Sequence, residues 1–164
     1  MHDTDITTYL QGGCRCGAVR YEIAADALPP TYACHCLDCK TWTGAAFSQQ
    51  FVVREEDLHI HGPLTLFELT PPSGRVSRQR ACGTCFTRVY NTNSARPGIA
   101  AIRAGSLDAS DRLQVVAHIW TKRKQPWIIL PDSVPQWHEA APAEQLFGVL
   151  GVSGEVLRRA EPKN

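Results

Sequence analysis

The sequence predicts a mainly β chain, a sandwich or barrel of short strands, and three observations carry that expectation. Segments of high β-propensity recur along the chain, Gly and Pro punctuate them, and only two short stretches suit a helix. In order, the predicted strands are AVRYEIAA (18–25), AFSQQFVV (46–53), LHIHG (58–62), LTLFEL (64–69), TRVYNT (87–92), GIAAIRAG (98–105) and LQVVAHIW (113–120). Strands alternating with long helical patterns, the mark of βαβ units, are missing from this string. The helical stretches are a turn through LDCKTWTG and a C-terminal AEQLFGVLG entered at Pro142, a residue tolerated in a first helical turn.

A length of 164 residues fits one domain spanning 1–164, and 43% apolar with 20% charged residues is ordinary for a globular chain. No repeat of fixed period and no low-complexity tract interrupts it. No run approaches the roughly 18–20 apolar residues of a membrane span, and MHDTDITTYL lacks the basic start and apolar core of a secretory signal. The expected location is therefore cytoplasmic, with no membrane partner. A net charge of +1 without a long basic run argues against a nucleic-acid surface.

Seven cysteines, an odd number in an expected cytosolic chain, do not suit a disulfide scaffold. All of them sit in three clusters, Cys14 with Cys16, Cys34 with Cys36 and Cys39, and Cys82 with Cys85. In an extended chain, side chains two apart share a face, so Cys14 and Cys16 can point one way, as can Cys34 and Cys36. His35 then faces away from the thiols beside it. Cys36 to Cys39 and Cys82 to Cys85 have the two-residue gap of a zinc knuckle, and separate pairs in a β-rich chain suit tetrahedral zinc better than copper(I) or an iron–sulfur cluster. Thioredoxin-type chemistry needs a cysteine at a helix N-terminus in an α/β context, which this chain lacks. Seven thiolates divide most simply into four, a closed structural site, and three, which leaves a coordination position open. Spacing alone does not say which clusters share an ion.

The blocks GGCRCGAVRYEI (12–23), CHCLDCKTWTGAAF (34–47), RACGTCFTRVYN (80–91), IRAGSLD (102–108) and HIWTKRKQPWIIL (118–130) together resemble the glutathione-dependent formaldehyde-activating enzyme family, whose relatives include centromere protein V. The likeness covers most of 10–137. The resemblance implies a zinc-stapled β-tent of short antiparallel strands with few short helices, and two zinc ions per chain. It implies that Cys14, Cys16, Cys82 and Cys85 hold a structural zinc, and that Cys34, Cys36 and Cys39 hold a second, catalytic one. One departure stands out, because Phe86 follows the last cysteine pair where the family usually has Gly, a residue suited to left-handed backbone. The tail 138–164 lies outside the family pattern and is expected either to pack as a helix or to fray.

Zinc with three thiolates carries one net negative charge and is a poor Lewis acid, so ionising water is a less natural use than accepting an incoming thiol. A metal binds the thiolate, which is also the form that attacks carbon. The resemblance implies a carbon–sulfur lyase reaction, the reversible addition of glutathione to formaldehyde, with a small thiol and an aldehyde as partners. The alternative is a non-catalytic, zinc-stabilised protein-binding module. An anionic thiol calls for cations, and Lys40, Arg80, Arg103, Lys122, Arg123 and Lys124 lie in the matched blocks, while Arg15 suits charge neutralisation beside its cysteines. His118 is a candidate proton carrier or fourth ligand, though a structural strand histidine is the simpler role. His59 and His61 alternate on a predicted strand as surface residues, and Trp42, Trp120 and Trp127 are candidates for walling a pocket near Cys34, Cys36 and Cys39.

Overall fold

The structure, a computed structural model, describes residues 8–70 and 74–152. Its elements run β1 (Tyr9–Gly13), β2 (Arg20–Ala24), β3 (Thr31–Cys34), α1 (Leu37–Thr43), β4 (Ser48–Arg54), β5 (Leu58–His61), β6 (Leu64–Leu69), β7 (Ser77–Cys82), β8 (Arg88–Asn93), β9 (Arg96–Arg103), β10 (Val115–Ile119) and α2 (Ala143–Val149). All seven predicted strands and both helices form, each strand end within two residues of its predicted place. Three further strands, β1, β3 and β7, carry weak local signals: YLQGG ends on two glycines, TYAC is short and follows two prolines, and SRQRAC is largely polar. Their neighbours make them strands, since each pairs along its length with a stronger one.

Two sheets result. One has the order β1-β2-β5; the other has the order β10-β3-β4-β9-β8-β7-β6. Pairing is antiparallel except between β10 and β3, which run parallel because the chain leaves β9 through two short 3-10 turns and crosses to the far edge. The strands are thus antiparallel with this one exception.

Side-chain alternation gives the large sheet two different faces. One face presents Phe51, Tyr90, Ala100 and Ile102 to Tyr21 and Ile23 of β2, closing a core between the sheets. Phe51 and Tyr21 are fully buried, and each such side chain contributes about 1.5–3 kcal/mol by leaving water. The strand β1 lies so close over Tyr21 that a Cβ on Gly12 would come within 2.3 Å of its ring, so only glycine fits there. The other face carries Tyr32, Cys34 and Ile99, on which α2 seats Leu146 and Phe147. The tail therefore packs as a helix from Ala143 to Val149, entered from Pro142 at its N-cap. Residues 153–164 of the tail, and residues 1–7 of the opening decapeptide, lie outside the described residues. No described helix is long and apolar enough to cross a membrane.

Candidate functional site

The structure sorts the seven cysteines into a quartet, Cys14, Cys16, Cys82 and Cys85, and a trio, Cys34, Cys36 and Cys39, with the sulfurs of each group within 4.8 Å of one another. In the quartet, β1 ends at Gly13, and Cys14 to Gly17 form a turn in which the Gly17 amide donates to the Cys14 carbonyl at 3.2 Å and Gly17 takes φ +81°. The turn, not strand alternation, puts Cys14 Sγ 3.5 Å from Cys16 Sγ, which corrects the expectation of an extended pair. Cys16 Sγ reaches Cys82 Sγ at 3.8 Å across 66 residues of sequence. On that side, the amides of Thr84 and Cys85 donate to Cys82 Sγ at 3.3 and 3.5 Å, and the Val19 amide donates to Cys14 Sγ at 3.2 Å. Amides aimed at sulfur favour the thiolate, the form that holds a cation. Phe86 follows in left-handed backbone at φ 59° with its side chain exposed, so the chain makes the turn that glycine would make, at a conformational cost.

In the trio, Cys34 closes β3 and Cys36 caps α1 from extended backbone, with its sulfur accepting from the Cys39 amide at 3.4 Å. The helix then returns Cys39 to the same side, where Gln50 Nε2 donates to its sulfur at 3.7 Å. Hydrogen bonds from the Cys34 and Cys39 thiols draw the pKa of Cys36 down to about 2, while hydrogen bonds with Cys36 and Cys39 push Cys34 far above the thiol range. The trio favours the thiolate at Cys36, and a bound cation would displace the protons of its neighbours. Among the described residues, no fourth His, Cys, Asp or Glu ligand joins the trio.

His35 faces away as expected. It is fully buried behind the trio, with Nε2 3.0 Å from His118 Nδ1. His118 pairs in register with Ala33, not Cys34, and so lies on the opposite face of the sheet from the sulfurs. It is neither placed as a fourth ligand nor in the cavity beside the trio.

That cavity, of about 580 Å³, is lined by Cys34, Cys36, Cys39, Trp42, Arg88 and Arg103 among others. Sheet register builds its floor, because Gln79 pairs with Asn91, Asn91 with Ala101, Arg103 with Gln50, and Gln50 with Tyr32, two residues before Cys34. All these residues share one face. Gln79 Oε1 accepts from Arg88 Nη2 at 2.7 Å and from Arg103 Nη2 at 3.3 Å, bringing two guanidinium groups together. Arg88 lies over Trp42 with its guanidinium carbon 4.0 Å from the ring centroid. Burial, and then the charge of Arg103, push Arg88 down to about 10, while the Cys39 and Cys36 sulfurs act in the other direction.

Of the cations picked from sequence, Arg103 alone reaches the trio cavity. Arg80 stacks on Tyr90, Lys40 donates to the Arg123 carbonyl at 2.7 Å, Lys122 pairs with Glu139, and Lys124 donates to the Ile128 carbonyl. Arg15 is exposed and lines a neighbouring cavity of about 730 Å³ that shares Trp42, Arg88 and Arg103 with the first. His59 and His61 are exposed on β5. Trp42 does wall the cavity; Trp120 packs against the cluster around α2, and Trp127 is 73% exposed. Arg88, Gln79 and Asn91 were not singled out by sequence, because their common position depends on pairing between β7, β8 and β9. An arginine opening a strand that follows a CxxC turn was the available signal for Arg88.

A layered β fold with a cysteine quartet and a cysteine trio, each able to hold a metal ion and the trio beside a cavity, defines the class of protein. Residues 9–123 match the family of the glutathione-dependent formaldehyde-activating enzyme, and the chain belongs to that family. A Halomonas elongata protein, provisionally named a glutathione-dependent formaldehyde-activating enzyme, is 24% identical over 151 residues, spanning 79% of this chain and 94% of that one. The crystal structure of a Rhodobacter sphaeroides protein superposes with a TM-score of 0.50 at 18% identity, covering 77% of this chain and 98% of the other. The last likeness concerns the fold alone.

Proposed function

We propose that the chain is a zinc-dependent carbon–sulfur lyase that joins a small thiol, such as glutathione, to an aldehyde carbon, such as that of formaldehyde, and releases it again. The observation that carries this is the contrast between the clusters: the quartet is complete, whereas the trio faces a cavity with no fourth ligand among the described residues. The donor sets fit zinc, since both are all-sulfur and backbone amides point at Cys14, Cys36 and Cys82. Cys14, Cys16, Cys82 and Cys85 would hold a structural ion, and Cys34, Cys36 and Cys39 a second. Bound there, zinc would supply a seat for an external sulfur and favour its thiolate form.

The chain's own residues do the rest. The Cys36 cap and the Gln50 amide fix the trio's geometry, and Trp42 and Arg88 wall the space in which the aldehyde would meet the sulfur. In the reaction, the sulfur–carbon bond forms as the carbonyl π pair moves to oxygen, and the thiol's proton ends on that oxygen, so no oxidant or reductant is required. The reverse step breaks the same bond. A test is the rate of S-hydroxymethylglutathione formation above the uncatalysed blank in wild type and in Cys36→Ala. The variant is expected to lose the excess rate and one zinc; full activity without the second zinc overturns the mechanism.

A protein-binding module, with zinc only holding the fold, is favoured by one observation: Trp127 and Ile129 stand 73% and 92% exposed on one loop. Such a module would keep its binding in Cys36→Ala and show no rate above the blank in wild type.

A further inference from the structure

Among the described residues, the two guanidinium groups beside the trio have no carboxylate partner. No ion pair to Arg88 or Arg103 forms among the described residues, although Arg103 is only 9% exposed. Both lean on neutral oxygens, Arg88 on Gln79 and Arg103 on Gln79 and Asn91. Three buried donors, Arg88 Nη1 and Arg103 Nε and Nη1, have no acceptor among the described residues. Buried cations persist when a counter-charge lies near, and the trio sulfurs line the same cavity and act on both arginines. Asp38, the carboxylate that also lines it, is exposed and forms no ion pair with either among the described residues. Among the buried charges, a dipositive ion with three thiolates carries one negative charge, which leaves one of the two cations unbalanced, since the carboxylate of Asp38 is exposed and screened by water. A neutral occupant of the cavity does not change that sum. A fourth sulfur arriving as thiolate does, because four thiolates on the ion carry two negative charges against the two guanidiniums.

We infer that Arg88 and Arg103 are specificity-determining residues that make the trio cavity select an anionic sulfur over a neutral ligand. This rests on the proposed zinc site. The pair acts by charge across the cavity, held in place by Gln79, Asn91 and the Trp42 ring, so it discriminates ligands by their charge and not by their shape. The ligand class is a thiol that binds as thiolate, whatever the body it carries.

The test loads the protein with cobalt(II) and follows sulfur-to-cobalt charge-transfer absorption while 2-mercaptoethanol, whose body is uncharged, is titrated at one fixed pH. Imidazole, a neutral ligand, is titrated in parallel. Arg88→Gln is expected to weaken 2-mercaptoethanol binding about tenfold, the effect of removing one charge several ångströms away in a protein interior, and to leave imidazole binding within about twofold. Arg88→Lys, which keeps the charge and loses the planar stack on Trp42, is expected to restore most of the thiol affinity. Metal content and near-ultraviolet circular dichroism establish that each variant is folded and loaded, and Arg103→Gln serves as a second charge deletion. Equal weakening of both ligands, or no weakening of either, overturns the inference while leaving the zinc site standing. Uptake of a single cobalt per wild-type chain overturns the zinc-site proposal itself, and the inference with it.

Discussion

His35 and His118 meet behind the cysteine trio with Nε2 3.0 Å from Nδ1, both buried, on the side of the sheet turned away from the sulfurs. The pair ties the loop between β3 and α1 to strand β10, and so holds the segment that carries Cys34 and Cys36 from outside the site. Burial keeps His118 below the ordinary imidazole range and therefore neutral.

Replacing His118 by Gln is expected to destabilise the protein by about 1–3 kcal/mol, because His35 loses a buried partner. Its folded value is lowered, so its contribution is complete above the unfolded value of about 6.5 and is lost as pH falls through the folded one. Denaturant unfolding of wild type and variant across this range should show the wild-type advantage shrinking with acid. Metal content should be unchanged; loss of one ion would make His118 a ligand.

Phe86 holds a left-handed backbone at φ 59° with its ring 70% exposed, so little packing opposes a change to glycine. Phe86→Gly is expected to raise stability by about 0.5–1 kcal/mol, the relief of strain less the added freedom of the unfolded chain. Thermal unfolding of the metal-loaded protein checks this.

Cys82 is fully buried, and its cluster joins the end of β1 to the β7–β8 turn across 66 residues. Cys82→Ser is expected to lose the quartet ion and, with it, stability on the order of 5 kcal/mol, since binding energy at a structural metal site is folding energy. A strong chelator should lower the melting temperature of wild type similarly.

Phe147, 1% exposed, seats α2 on the trio's face of the sheet and lies under Arg96, whose guanidinium carbon is 5.1 Å from the ring centroid. Phe147→Ala is expected to cost about 3–5 kcal/mol, as is usual for a large buried ring. Urea unfolding with unchanged quartet metal would separate this local packing loss from a failure at the staple.

Much of this was legible in the sequence because the signals are local. Strands such as LTLFEL announce themselves by residue type, and the clusters account for every cysteine without reference to the fold. What stayed hidden depends on partners. TYAC becomes β3 because β4 and β10 flank it, and Arg88 joins Arg103 because Gln79 on a third strand accepts from both. The Cys14 to Cys16 pair misled for a different reason: CRC reads equally as strand or turn, and the left-handed Gly17 decides for the turn.

The most direct measurement is elemental analysis of the fully reduced, metal-replete protein beside Cys36→Ala. Two zinc ions per wild-type chain and one in the variant are the expected result. A single ion in wild type, or two retained when the Cys36 sulfur is gone, would contradict an open metal site at Cys34, Cys36 and Cys39.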